Sequence, residues 1–194
     1  MAHDAREPNL DNEVPLEKKL DDLYALIDGI EVAMFTTRRP DGSLVSRPMQ
    51  VQERAAGTDL WFMTNVESHK LEELAHDRHV NLAFYRDRTR EWVSVSGSAL
   101  VSQDRSLVHE LYKPDWRAWF GDEGGERDGG PDDPRLALVL VEAHSVIYSK
   151  QDRPTPLVLF QIARAMVTGT PPKVADLRTL GESELGGGAA RESR

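Results

Sequence analysis

DLWFMTNVESHKLEEL, residues 59–74, holds the transition on which the fold turns. A strand-like apolar run ends at Thr64, a short polar turn follows, and Ser68 opens an amphipathic helix. Serine suits the cap position because its hydroxyl accepts a bond from a free backbone N–H. Lys70 stands in the first helical turn, where a cation opposes the helix dipole. A bound anion would reverse that penalty, and free N–H groups, a hydroxyl and an ammonium together suit a phosphate. The competing reading is a lysine that bends away into solvent.

Strands dominate on both sides of this stretch. Residues 31–37 form a short β run, and Arg39-Pro40-Asp41-Gly42 is a turn signal that returns the chain as a strand over 44–51. A turn at 55–58 precedes the 60–64 strand, and the helix from Ser68 ends near Asp77. Residues 79–85 and 91–101 make another strand pair. In the second of these Trp92, Ser94, Ser96 and Ser98 share one face, with Val93 and Val95 on the other. Gly97 marks a bulge or a close backbone approach. Asp104 caps a short helix through Tyr112, Lys113-Pro114 stops it, and Trp116, Trp119 and Phe120 follow. The segment 121–134 is a glycine-rich acidic loop, read as mobile, and 136–148 is the last long strand.

Helices flank the strands. Leu16, Leu20, Leu23 and Ile27 repeat at helical spacing after Pro15 and before Gly29. A second helix, 155–168, is apolar on most of its circumference and must be buried, in the core or in a subunit interface. Residues 1–14 read as a disordered lead-in, 15–168 as a single domain and 169–194 as a flexible tail. Strands joined by tight turns make an antiparallel sheet. About six of them in one domain tend to close into a barrel that hides its edges. The fold class is therefore mainly β with flanking helices, an α+β chain built on a six-stranded antiparallel barrel.

Composition limits the function classes. The chain of 194 residues is long enough for one real core, and its net charge of −9 argues against nonspecific attraction to nucleic acid or an anionic membrane. With no cysteine there is no disulfide, thiolate metal site or cysteine nucleophile. The polar start MAHDAREPNLDNE has no secretory h-region, and no apolar run spans a bilayer, so cytoplasm is the expected location. His69, His76 and His79 cluster in sequence, but their spacing favours solvated histidines over a metal site. Glu72 and Glu73 read as a solvent face, and Trp116, Trp119 and Phe120 more as packing than as chemistry. No nucleophile–base–acid set stands out, so no catalytic residue is assigned.

Arg47 is the second basic group of interest. It interrupts the strand after the Asp-Gly turn, and its guanidinium is a fixed fork suited to phosphate. The hairpin would let Arg47 and Lys70 point at one anion. Pro48 removes a ladder donor and places this strand at an edge or at a distortion.

The ordered set AMFTT (33–37), DGSLVSRPM (41–49), LWFMT (60–64), SHK (68–70), VNLAFYRD (80–87), WVSVSGSA (92–99) and WF (119–120) resembles the general stress protein 26 group. That group belongs to the pyridoxamine 5′-phosphate oxidase-like, FMN-binding split-barrel superfamily, and the resemblance covers roughly residues 16–148. Each block alone is common; their order and spacing are specific for the family and less so for an activity. The resemblance implies a six-stranded split barrel that forms a homodimer with one FMN per subunit in the dimer cleft. By position, Arg47 and Lys70, with Ser68 and His69, would hold the FMN phosphate. The backbones of Arg47, Pro48, Met49 and Gln50 and of Phe62, Met63 and Thr64 would line the ring and ribityl chain. Trp92 and Ser94 would contribute across the dimer, and Trp119 with Phe120 would close over the ring. In the oxidases an arginine often stands where this chain has His69, glutamine tends to stand where it has Trp92, and their C-terminal substrate-binding arginine motif has no counterpart here. These departures count against pyridoxamine phosphate oxidation more than against flavin binding. The resemblance therefore implies an FMN-dependent oxidoreductase acting on a small acceptor, with NADH or NADPH as a transient donor. The alternative is an FMN-binding stress protein without turnover.

Overall fold

The computed structural model describes residues 10–11, 13–53, 59–151 and 175–189. The turn expected at 55–58 and the apolar helix expected at 155–168 lie outside the described residues. Helix α1 (Leu16–Ile30) is followed by strands β1 (Val32–Arg38), β2 (Leu44–Gln50) and β3 (Leu60–Asn65), helix α2 (His69–His76), and strands β4 (His79–Arg86) and β5 (Glu91–Ser102). Then come α3 (Arg105–Leu111), a 3-10 turn (Pro114–Trp116), α4 (Arg117–Phe120), β6 (Leu136–Lys150), β7 (Asp176–Gly181) and α5 (Glu182–Ala189). No described helix is long and apolar enough to cross a membrane.

The strands form one antiparallel sheet in the order β2-β1-β4-β5-β6-β3, with β7 added beside β6. Its two end strands, β2 and β3, come together where the N–H of Gln52 donates to the carbonyl of Trp61 at 3.0 Å. The sheet thus curls toward closure and leaves a seam between its ends. Alternation along β1, β4 and β5 sends Phe35, Leu82, Phe84, Val93 and Val95 inward, where Leu23, Leu26 and Ile27 of α1 also lie buried. Phe35 meets Phe62 edge-on at 5.3 Å between ring centroids. Strand β6 opens with LALV, buried on both faces, because α3 and α4 cover its second face. There Trp61, Val108, Trp116, Phe120, Leu136 and Leu138 make a smaller second core.

Gly97 holds the expected irregularity. The β5–β6 register shifts between Ser96 and Gly97, and a Cβ at Gly97 would lie 2.1 Å from the Glu142 carbonyl oxygen. A side chain there would force the strands apart.

Three expectations need correction. The sheet has seven strands, not six, because β7 lies in the segment read as a flexible tail. It is hard to see in a hydropathy pattern because its inward residues are Asp176, Arg178 and Leu180. Arg178 is buried through an ion pair to the buried Asp22 of α1, which Lys150 also joins. Leu10 and Asp11, read as part of a disordered lead-in, meet Leu177: Leu10 makes a parallel bridge, and the Asp11 N–H donates to its carbonyl at 2.8 Å. The acidic loop before β6 is tied down rather than loose. Arg135, 2% exposed, donates to the carboxylates of Asp133 and Glu123 and to the carbonyls of Phe120, Gly121 and Arg127.

Candidate functional site

A cleft of about 670 Å³ opens along the β2–β3 seam, a size common for small-molecule sites. Pro48, Met49 and Gln50 of β2 form one side, and Met63, Thr64 and Asn65 of β3 form the other. Lys70 is on the lining as well. Trp116, Trp119 and Phe120 make a third wall, and Asp28, Glu31, Glu53, Lys113 and Asp115 are also on the lining.

The local sequence explains these positions. Among the described strands β2 pairs with β1 alone, so Pro48 sits on an edge where no ladder donor is required. After β3 the chain turns tightly. Asn65 accepts the Glu67 N–H at its side chain (2.8 Å) and the Ser68 N–H at its carbonyl (3.1 Å), which sets the start of α2 against the end of β3. Lys70 then lies beside Thr64, and its Nζ donates to Thr64 Oγ1 at 2.7 Å. Burial pushes the Lys70 ammonium below the ordinary lysine value. The Arg47 charge pushes the same way, and Glu73 opposes both. Lys70 and Arg47 are thus close enough for their charges to interact.

Arg47 does not line the cleft. Its Nη1 donates to Thr37 Oγ1 at 3.0 Å and its Nη2 to Glu73 Oε2 at 2.6 Å. A guanidinium carries five N–H bonds, so three remain without a partner among the described residues. Ser68 occupies the cap position of α2 but makes no capping bond with its side chain. The expected serine side-chain cap is absent; the Ser68 carbonyl instead accepts the Leu71 N–H at 3.0 Å. Sequence reasoning missed Glu73. It is buried, whereas Glu72 beside it is exposed as expected. No local pattern distinguishes the two; the difference comes from Thr37, Arg39 and Arg47, which arrive from β1, the turn after it and β2.

The other expected site residues divide into four groups. Met63, Thr64, Gln50, Pro48 and Met49 share the cleft with Lys70, whereas the Phe62 side chain is fully buried in the barrel core. His69 projects into solvent with its side chain 93% exposed, 3.7 Å from the Glu72 carboxylate. Trp92 and Ser94 lie on the outer face of the sheet, opposite Tyr85 and Ala83, outside the cleft. Ser94 accepts a bond from Asn81 Nδ2 at 2.9 Å. Along the strand register Ser94 stands three strands away from Pro48, about 14 Å, through Ala83 and Met34.

The aromatic segment after α3 divides its work. Trp116 is buried, edge-on to Trp61 at 5.9 Å and to Tyr112 at 5.6 Å, and its Nε1 donates to Gln52 Oε1 at 3.3 Å. Phe120 is buried beside it, while Trp119 is 78% exposed at the cleft. The lining residues Gln52, Glu53, Lys113 and Asp115 were not expected. Lys113 pairs with Glu53 at 3.1 Å and so links the third wall to the end of β2, a contact between distant segments that carries no sequence signal. Among the described residues no group of three or more His, Asp or Glu side chains is placed to hold a metal ion.

Comparison with known proteins places this geometry. The family model described as pyridoxamine 5′-phosphate oxidase like matches residues 18–173. Protein bli-3 of Neurospora crassa is 39% identical over 183 residues, 93% of this chain and 88% of that protein. A general stress protein 26 from Jannaschia sp. CCS1 superposes with a TM-score of 0.63 at 21% identity, covering 85% of this chain and 99% of that one. The general stress FMN/FAD binding protein of Xanthomonas citri matches with a TM-score of 0.52 at 28% identity, over 65% of this chain and 84% of its own.

Proposed function

The chain belongs to the pyridoxamine 5′-phosphate oxidase-like family, and on that premise we propose that it binds FMN noncovalently and acts as a flavin-dependent oxidoreductase on a small acceptor. One observation carries the reading. Lys70, in the first turn of α2, lines a cleft that combines the apolar and aromatic side chains of Met49, Met63, Trp116, Trp119 and Phe120 with the carboxylates of Asp28, Glu31, Glu53 and Asp115, and it feels the charge of Arg47, whose three other N–H bonds have no partner among the described residues. That donor set matches a phosphate dianion, and the rest of the cleft suits a flat ring with a polar chain.

In this reading Lys70, Arg47 and Ser68 hold the phosphate. Thr64 orients the Lys70 ammonium, and the 48–50 and 63–65 segments flank the ring and ribityl chain. Trp119 covers the ring from the third wall. FMN supplies the redox chemistry, taking up electrons from a donor such as NADH or NADPH and passing them to the acceptor. The protein's share is to bind, to orient and to limit solvent around the ring.

The same reading makes the protein a homodimer. Val32, Met34, Tyr85 and Ile147 are 44%, 43%, 57% and 39% exposed on the outer face of the sheet. Pro48, Met34, Ala83, Ser94 and Ile147 follow one register row across β2, β1, β4, β5 and β6. An apolar face of this extent calls for a partner. Val32 and Pro48 also line the cleft, so a second copy seated on this face would complete it, with Trp92 and Ser94 serving the partner's flavin.

The test is the visible spectrum of purified protein, followed by identification of the released flavin and stopped-flow mixing with NADH or NADPH. A yellow protein that yields FMN and bleaches with a donor supports the reading. FMN that neither donor reduces leaves a flavin binder without turnover. A colourless protein that takes up no added FMN removes the proposal. Dilution to monomer is expected to release the flavin, and a monomer that keeps it would remove the dimer.

A further inference from the structure

Glu73 follows Lys70 by three residues on α2 and is 5% exposed. A carboxylate so buried is tolerated only when it is paired and hydrogen-bonded. Here Thr37 Oγ1 donates to Oε2 at 2.5 Å, Arg47 Nη2 donates to the same oxygen at 2.6 Å, and Arg39 Nε reaches Oε1 at 3.3 Å. Thr37 closes the triangle by accepting from Arg47 Nη1 at 3.0 Å. Two of the guanidinium's N–H bonds are thus held by α2 and β1. Lys70, three residues earlier on the same helix, senses the charge of that guanidinium.

Resting on the FMN reading above, we infer that Glu73 is the positioning residue of the phosphate clamp: with Thr37 it locks the Arg47 guanidinium in place so that its remaining N–H bonds face the phosphate beside Lys70. The long arginine side chain otherwise has many rotamers to lose on binding, and a clamp fixed in advance avoids that loss. Glu73 does not touch the ligand. The effect we assign to it runs through Arg47, so it must depend on the ligand's phosphate and on the presence of Arg47.

The experiment titrates FMN and riboflavin, which lacks the phosphate, into wild type, Glu73→Gln, Arg47→Ala and the double variant, by quenching of flavin fluorescence. The expected result is an FMN affinity about tenfold lower in Glu73→Gln with riboflavin affinity unchanged, and no further loss when Glu73→Gln is added to Arg47→Ala. A merely structural role would lower both affinities together, or would cost as much with Arg47 absent; either result overturns the inference, as does unchanged or tighter FMN binding in Glu73→Gln. Thr37→Val loosens the same guanidinium without altering charge and keeps the question open to test if Glu73→Gln does not fold. It should lose about threefold for FMN and nothing for riboflavin, and an equal loss on both ligands overturns the inference. Wild type without FMN affinity would instead overturn the reading of the cleft itself.

Discussion

Arg135 and Arg47 are both held by carboxylates, and they are opposites in what they have left to offer. Arg135, ahead of β6, gives every N–H of its guanidinium to Asp133, Glu123 and three backbone carbonyls. Arg47 on β2 gives two, and its other three have no partner among the described residues. Arg135 is 2% exposed, whereas the Arg47 side chain is 22% exposed. A saturated, sealed guanidinium is a structural rivet. One that keeps donors unfilled near a second cation is what the proposed phosphate clamp requires. The difference lies in the unfilled donors, not in the ion pair that both possess.

The largest expected effect breaks the rivet. Asp133→Asn leaves Arg135 buried without its main counter-charge, which costs about 3 kcal/mol, or a melting temperature lower by roughly 10 °C for a chain of this size. Thermal denaturation followed by circular dichroism measures it. The FMN-to-riboflavin affinity ratio of the folded variant should not move, because Arg135 faces no phosphate. The same pair sets an acid limit. The bond from the Arg135 side chain holds the Asp133 carboxyl down at about 2, against the burial that alone would raise it, with the N–H groups of Arg135 and Gly129 helping. A group held below its free value of 3.8 adds stability above that pH and loses it as pH falls through 3.8 toward 2. Urea unfolding at stepped pH should show this slope in wild type and a shallower one in Asp133→Asn.

The next effect concerns the open arginine. Arg47→Ala should weaken FMN binding by about 2 kcal/mol, the value of a charge-assisted bond, close to thirtyfold. Riboflavin affinity should barely change. Lys70→Ala should behave alike, since Lys70 and Arg47 are proposed to hold one phosphate. Equal losses on the two flavins would make Arg47 a second rivet and erase the contrast with Arg135. Unchanged FMN affinity in both variants would remove the phosphate clamp.

The sequence exposes one side of this contrast better than the other. The β1–β2 hairpin is legible because its turn is local: Gly42 adopts φ +84°, and Asp41 Oδ1 accepts the Ser43 N–H at 2.8 Å. The alternation of β5 and the start of α2 are legible for the same reason, and Arg47 and Lys70 stand out because each breaks a local pattern. Glu73, Arg135 and β7 are hidden because long-range partners decide them. Glu73 looks like its exposed neighbour Glu72 until Arg47 and Thr37 arrive from other strands. A loop rich in glycine and acid reads as mobile until one arginine gathers its carbonyls. A strand whose inward side carries Asp176 and Arg178 has no hydrophobic period, since its burial is licensed by Asp22 on α1.

The smallest expected effect tests the wall that joins the two regions. Arg135 Nη1 holds the Phe120 carbonyl, and its guanidinium lies 5.6 Å from the centre of that ring. Trp119, one residue earlier in the chain, is 78% exposed at the cleft and adds little to folding. Trp119→Ala should change stability by no more than about 0.5 kcal/mol, as surface substitutions do. If Trp119 covers the ring, the loss of one aromatic contact, about 0.7 kcal/mol, lowers affinity roughly threefold. That loss should be equal for FMN and riboflavin, because the ring is common to both. The profile is thus the inverse of the one expected for Arg47, small and blind to phosphate where the other is large and specific to it. A loss confined to FMN would move Trp119 from the ring to the phosphate end, and the orientation of the ligand along the β2–β3 seam would have to be reversed.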